Sequence, residues 1–185
     1  MRRLLSLPLF SVMALAACAP GGDLPILAAA TGHEYRLGPG DVVRVITYGE
    51  EPLTGEFRVN DQGDVTLPLA GRVATNGKST RQLGDAIANA LKKDNVLVRP
   101  SVSVEVAVYR PIYVLGEVNR PGQYPYHPGM TMVTAAAVAG GFTYRAVEAY
   151  ASVVRTVEGD SVEGKVSRQA LVQPGDVITV FERRF

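Results

Sequence analysis

Tryptophan is absent from this 185-residue chain, histidine occurs twice and cysteine once. Without tryptophan, the favoured aromatic platform for a sugar ring is missing. His33 and His127 have no second histidine nearby and no spare thiol, so the donor set of a zinc or catalytic metal site is lacking. A serine triad would need one of these histidines beside an exposed serine, and no G-x-S-x-G turn occurs. One cysteine cannot close a disulfide within the chain, so the fold is held by its core. Charge is balanced at 19 Lys and Arg against 18 Asp and Glu. That balance supplies no basic stripe for nucleic acid. No apolar run approaches the roughly 20 residues of a transmembrane helix. What remains is 46% hydrophobic residues with 19 glycines and 12 prolines, a composition of many turns and short strands.

The single cysteine ends a short apolar run. Arg2 and Arg3 precede Leu4 to Ala14, and Leu15-Ala16-Ala17-Cys18 closes the segment. A charged start, an apolar middle and small residues at the exit read as a secretory signal. Ala14-Leu15-Ala16 also offers the small-x-small site of an ordinary signal peptide. A free thiol left beside a cleavage site would be unusual in an oxidising compartment. The tetrapeptide resembles the lipobox of bacterial lipoproteins, in which diacylglycerol is attached to the cysteine. That resemblance implies lipidation of Cys18, removal of residues 1–17 and, with Ala19 rather than Asp next, sorting to the outer membrane. The mature chain would lose Arg2 and Arg3, leaving 17 basic against 18 acidic residues and a net charge of −1.

Residues 18–34 are rich in Ala, Gly and Pro without a period and are read as a lipidated tether. The sixteen residues 19–34 can reach ~50–58 Å extended or ~20–24 Å as a coil. Residues 35–110 form a first unit. A turn at Leu37-Gly38-Pro39-Gly40-Asp41 precedes a strand from Val42 to Tyr48. Asn60-Asp61-Gln62-Gly63, flanked by Phe57, Val59, Val65 and Leu67, reads as a hairpin. Leu83, Ala86, Ile87, Ala90 and Leu91 share a helical face, with Ser79 and Gln82 as a capping box. Val102 to Val108 alternate as a strand.

Arg110-Pro111 is expected to be a hinge, and residues 111–185 form a second unit. Strands are expected over Ile112 to Val118, at Tyr124 and Tyr126, and over Val177 to Phe181. Val147 to Val157 pairs with Val162 to Val166 across Glu158-Gly159-Asp160. Thr131 caps a short helix bearing Val133, Ala136 and Ala137, which Gly140 and Gly141 stop. Pro39-Gly40-Asp41-Val42 recurs as Pro174-Gly175-Asp176-Val177, in which Asp can bond nearby backbone amides. The fold class is α+β, with two small β-rich domains.

These motifs, in this order, resemble the outer-membrane polysaccharide export family, the Wza-type exporters of capsule and exopolysaccharide. Tyr35 to Val45, Val59 to Gly71 and Arg99 to Val104 look like the opening, central hairpin and closing strand of its polysaccharide-export domain. Ile112 to Val118, Pro121 to Tyr124, Gly140-Gly141-Phe142 and Pro174 to Val177 resemble the β-grasp-like SLBB domain. The resemblance implies a subunit that is not an enzyme and needs no cofactor. It implies a homo-oligomeric ring through which polysaccharide passes, lipid-anchored in the outer membrane and facing the periplasm. An inner-membrane polysaccharide co-polymerase is the expected partner. Long members of the family carry another domain and a C-terminal amphipathic helix. This chain is expected to be a short form that needs a separate outer-membrane β-barrel. The alternative is a monomeric periplasmic lipoprotein that binds a soluble glycan or other ligand through its SLBB domain.

Other chemistry has plainer readings. Gly77-Lys78-Ser79-Thr80 invites a phosphate loop, but five residues separate it from Gly71 where the motif has four. Glu50, Glu51 and Glu56 read as a solvated acidic loop rather than a glycosidase pair. Tyr109, Tyr113, Tyr124, Tyr126, Tyr144 and Tyr150 suit a carbohydrate surface, a subunit interface or half-buried strand positions. Phe185 matches the aromatic end of a barrel protein, but the strands of a barrel are not present in the sequence.

Overall fold

The computed structural model describes residues 19–27, 34–157 and 159–183. Cys18, His33 and Phe185 lie outside the described residues. The first domain contains β1 (Val42–Thr47), β2 (Gly55–Arg58), β3 (Asp64–Leu67), β4 (Gly71–Ala74), α1 (Thr80–Lys93) and β5 (Val102–Val108). β1 lies between β2 and β5, antiparallel to both. Its alternation sends Val43 and Val45 inward, where they meet Leu83, Ile87 and Leu91 of α1. Those α1 positions recur at four-residue spacing and so share a face. Burying leucine- and isoleucine-sized side chains stabilises such a core by about 1.5–3 kcal/mol each. The capping box at the start of α1 forms as expected, Ser79 accepting from the Gln82 amide and Gln82 from the Ser79 amide.

The expected hairpin across Asn60 to Gly63 is replaced by a corner between two sheets. β3 pairs with β4 instead, through a tip at Pro68, Leu69 and Ala70. Two sets of bonds explain the difference. Val59 is tied backward, its amide donating to the Asp41 carbonyl and its own carbonyl accepting from Gly40. Asn60 Oδ1 accepts from the Gln62 and Asp64 amides, folding the loop on itself. The turn chemistry was legible, but the partner strand was not.

The second domain contains β6 (Ile112–Gly116), β7 (Gly122–Tyr124), α2 (Met132–Val138), β8 (Tyr150–Val157), β9 (Asp160–Ser167) and β10 (Val177–Val180). Its sheet runs β7-β6-β10-β8-β9, with β10 parallel to β6 and antiparallel to β8. Ile112, Val114, Val153, Ile178 and Val180 project to one face and pack on α2. Thr131 caps α2 as expected, and Gly140 and Gly141 follow with positive φ. The buried face, however, is Met132, Ala135 and Ala136, while Ala137 is exposed. Small alanines let the helix lie close to the sheet. Gly116 sits at φ +79°, and a side chain there would collide with the Val180 carbonyl. The chain is thus α+β, with a small antiparallel sheet and one α-helix in the first domain and a mixed sheet over one helix in the second.

Candidate functional site

Two places concentrate polar and aromatic contacts. The first is the N-terminal segment just after Cys18. Although expected to be a tether, residues 19–27 lie on the second domain. Ile26 forms a parallel bridge with Lys165 of β9, the free edge of the five-stranded sheet. The Leu27 amide donates to the Lys165 carbonyl at 2.9 Å, and the Lys165 amide donates to the Pro25 carbonyl at 2.7 Å. Leu27 packs on the second core. Upstream, the Tyr150 hydroxyl donates to the Pro20 carbonyl at 3.0 Å. Tyr150 is flanked by Phe181 and by the Lys165 ammonium over its ring. Gly164 supplies the room: a Cβ there would lie 2.9 Å from the Pro25 carbonyl oxygen and 3.0 Å from the Leu27 Cβ.

The second place is the junction between the domains, where the repeated Pro-Gly-Asp-Val segments form matching turns. Gly40 and Gly175 both have positive φ, +94° and +87°. Asp41 and Asp176 are both fully buried. Each carboxylate accepts from the amide three residues before it, Gly38 at 2.8 Å and Gln173 at 2.7 Å. Each also meets an arginine. Arg155 grips Asp176 with Nε at 2.9 Å and Nη2 at 2.6 Å, a buried fork. Asp41 accepts from the Arg110 amide at 3.0 Å and from the Tyr35 hydroxyl, while the Arg110 Nε lies 3.6 Å away.

Arg110 and Pro111 were expected to be a hinge, and the structure instead ties them to both turns. Arg110 packs against Gly38 and Gly40 of the first domain and approaches Gly175 of the second. The Gly175 amide donates to the Pro111 carbonyl. Tyr35, Tyr109 and Tyr126 stack edge to face across the same place, with centroids 5.1 and 5.4 Å apart. Burial, then the nearby Asp41 charge, pushes the Tyr35 phenol well above the usual tyrosine range. Burial raises Tyr109 and Tyr126 as well.

The remaining sequence candidates separate. Tyr113 and Tyr144 are exposed, Tyr124 leans on the second core and Tyr150 holds the N-terminal segment. The tyrosines therefore form no single ligand face. Glu56 pairs with Arg44 across the β1–β2 surface, while Glu50 precedes and Glu51 begins a single turn of 3₁₀ helix. His127 contributes its carbonyl to a turn by accepting from Met130. Among the described residues no three His, Cys, Asp or Glu side chains converge on a metal position. None of their helices is long and apolar enough to cross a membrane. Both buried carboxylates are committed to amides and arginine, which suits them to positioning backbone. Arg110, Arg155 and the docked N-terminal segment carried no periodic signal in the sequence. The Pro-Gly-Asp repeat and the Arg110-Pro111 pair were the marks that pointed to the junction.

The chain thus pairs a first domain of a three-stranded sheet, a separate hairpin and one α-helix with a second, mixed-sheet domain of one helix. The family described as polysaccharide biosynthesis/export protein matches residues 29–107, the SLBB domain matches residues 111–167, and the chain belongs to this family. The chain is 36% identical over 138 residues to the exopolysaccharide production protein ExoF of Rhizobium meliloti, covering 69% of this chain and 32% of ExoF. It is 29% identical over 177 residues to the EPS I polysaccharide export outer membrane protein EpsA of Ralstonia nicotianae, covering 82% and 45%. It is 33% identical over 94 residues to the polysialic acid transport protein KpsD of Escherichia coli, covering 49% and 16%. The chain therefore spans less than half the length of these curated relatives.

Proposed function

We propose that this protein is a lipid-anchored, periplasm-facing subunit of an outer-membrane conduit that exports an exopolysaccharide or capsule, with no reaction of its own. The observation that carries this reading is the ordered pair of domains, export domain then SLBB, shared with relatives named for polysaccharide production, export and transport. Lipidation at Cys18 would place the protein at the outer membrane. Copies would assemble into a ring that gives the polymer a hydrophilic path. An inner-membrane co-polymerase and an outer-membrane β-barrel are the proposed partners below and above. The domain division proposed is 1–17 signal, 18–34 lipidated N-terminal stretch, 35–110 export domain and 111–185 SLBB domain. The contacts of Tyr109, Arg110 and Pro111 across the junction support this reading, because a ring needs each subunit to present both domains in one fixed orientation.

Deleting the protein should abolish surface polymer and leave polymer trapped in the periplasm. In mild detergent the extracted protein should sediment as a closed oligomer; a stable monomer at high concentration would reject the ring. Cys18→Ala should block or shift precursor processing and remove lipid labelling, and persistent labelling would reject that assignment.

A further inference from the structure

The export-family match begins at residue 29 and the SLBB match ends at residue 167, so residues 20–27 fall outside both. Yet they make backbone, hydroxyl and side-chain contacts with the second domain. The first contact is at Pro20, two residues from Cys18. The last is at Leu27, seven residues before Glu34, where the described chain resumes ahead of the first domain. We infer that Pro20 to Leu27 act as a strap that fixes the membrane anchor to the second domain, so that the SLBB sheet and not the export domain carries the bilayer attachment. This rests on the lipidation of Cys18 proposed above.

Reach decides the point. If residues 19–34 were free, a lipid on Cys18 could stand ~20–24 Å from the first domain as a coil, or ~50–58 Å extended. With Pro20 held on Tyr150, two residues separate the lipid from the second domain, at most ~7 Å of chain. Three features make the strap a built part of the domain rather than a surface accident. Pro25 and Leu27 exchange backbone bonds with β9, covering an edge that otherwise presents unpaired amides. Leu27 packs its partly buried side chain against the second core. Gly164, in mid-strand where glycine is unfavourable, leaves the space that the strap fills. The strap thereby joins both ends of the export domain to one neighbour, through Leu27 on one side and Pro111 on the other. Force or tilt from the bilayer would enter the second domain directly.

Acylated full-length protein in nanodiscs of phosphatidylethanolamine and phosphatidylglycerol tests this. Because the lipid occupies Cys18, a single introduced cysteine is the only free thiol for a fluorophore. One label goes on Tyr144→Cys in the second domain and another on Val98→Cys in the first; both parent residues are almost fully exposed, 87% and 86%. Residue 144 lies three residues before Val147, whose amide donates to the Phe181 carbonyl, and Phe181 packs against Gly21 of the strap. Energy transfer to headgroup acceptors should place residue 144 closer to the bilayer than residue 98. Leu27→Ser and Gly164→Ala should each erase that difference and move residue 144 outward by on the order of 20 Å. Slow hydrogen exchange in β6 and β10 checks that the domain stays folded in both variants. Acylated protein with equal distances in the wild type, or a difference that survives both variants, overturns the strap while lipidation stands. Mass spectrometry that finds no acyl group on residue 18 overturns lipidation and the strap together.

Discussion

At the Asp41 carboxylate, the Tyr35 hydroxyl approaches both oxygens, at 2.8 and 2.7 Å. Burial and the adjacent negative charge favour the neutral phenol, so its folded pKa lies above the ordinary value of about 10. Below pH ~10 the phenol is protonated in both folded and unfolded chains, and its contribution is fully present. As pH rises past that point, the unfolded chain releases the proton while the folded one retains it, and stability falls. Alkaline titration followed by circular dichroism should show this loss, and Tyr35→Phe should flatten it. The same variant should be less stable at neutral pH, by about 1–3 kcal/mol, because it removes a hydrogen bond to a buried charged group. A slope unchanged in Tyr35→Phe would assign the alkaline loss to another group. Asp41 and Asp176 were legible as turn residues because Pro-Gly-Asp-Val occurs twice. Their arginine partners were not, since Arg110 and Arg155 lie 69 and 21 residues away in the chain.

Among the elements, α1 could be read almost completely from its sequence. Its cap, its apolar face at Leu83, Ile87 and Leu91 and its lysine-bearing end are all local features. α2 shows the limit of that reading. Seven residues of mostly similar apolar size give a weak period, and the placement of the sheet decides which side is buried. Substituting leucine at two neighbouring positions tests the register. Ala136→Leu forces extra volume between helix and sheet and should cost about 1–3 kcal/mol. Ala137→Leu faces solvent and should stay within about 0.5 kcal/mol of wild type in denaturant melts. Equal costs would contradict the register. The corner at Asn60 carries the same lesson for strands. An Asx-type turn fixes how the chain bends there, but long-range bonds from Val59 to Gly40 and Asp41 select β1 rather than β3 as the neighbour of β2.

For the whole molecule, the junction sets how the two domains face each other. Tyr109 stacks on Tyr126, Arg110 lies among Gly38, Gly40 and Gly175, and Pro111 accepts from Gly175. These contacts couple a linker that the sequence alone describes as flexible. Arg110→Ala combined with Tyr126→Ala should loosen it. Backbone nitrogen relaxation should then report two correlation times where the wild type reports one, and a single time in the variant would show that other contacts hold the domains. The sequence by itself determined the two domains, most strand positions, the capped helices and the family motifs. Each of those is encoded by residues within one turn or one short run, where propensity, periodicity and covalent spacing act. Tertiary structure alone decided that β3 pairs with β4, that Arg110 sits between turns of both domains and that Pro25 to Leu27 pair with β9 while Pro20 meets Tyr150. Those outcomes depend on groups far apart in the chain, brought together by burial and by amides that need partners. Over residues 20–27, what looked like a free tether is therefore a docked segment, because an unpaired β9 edge and a vacant space at Gly164 exist only once the second domain has folded.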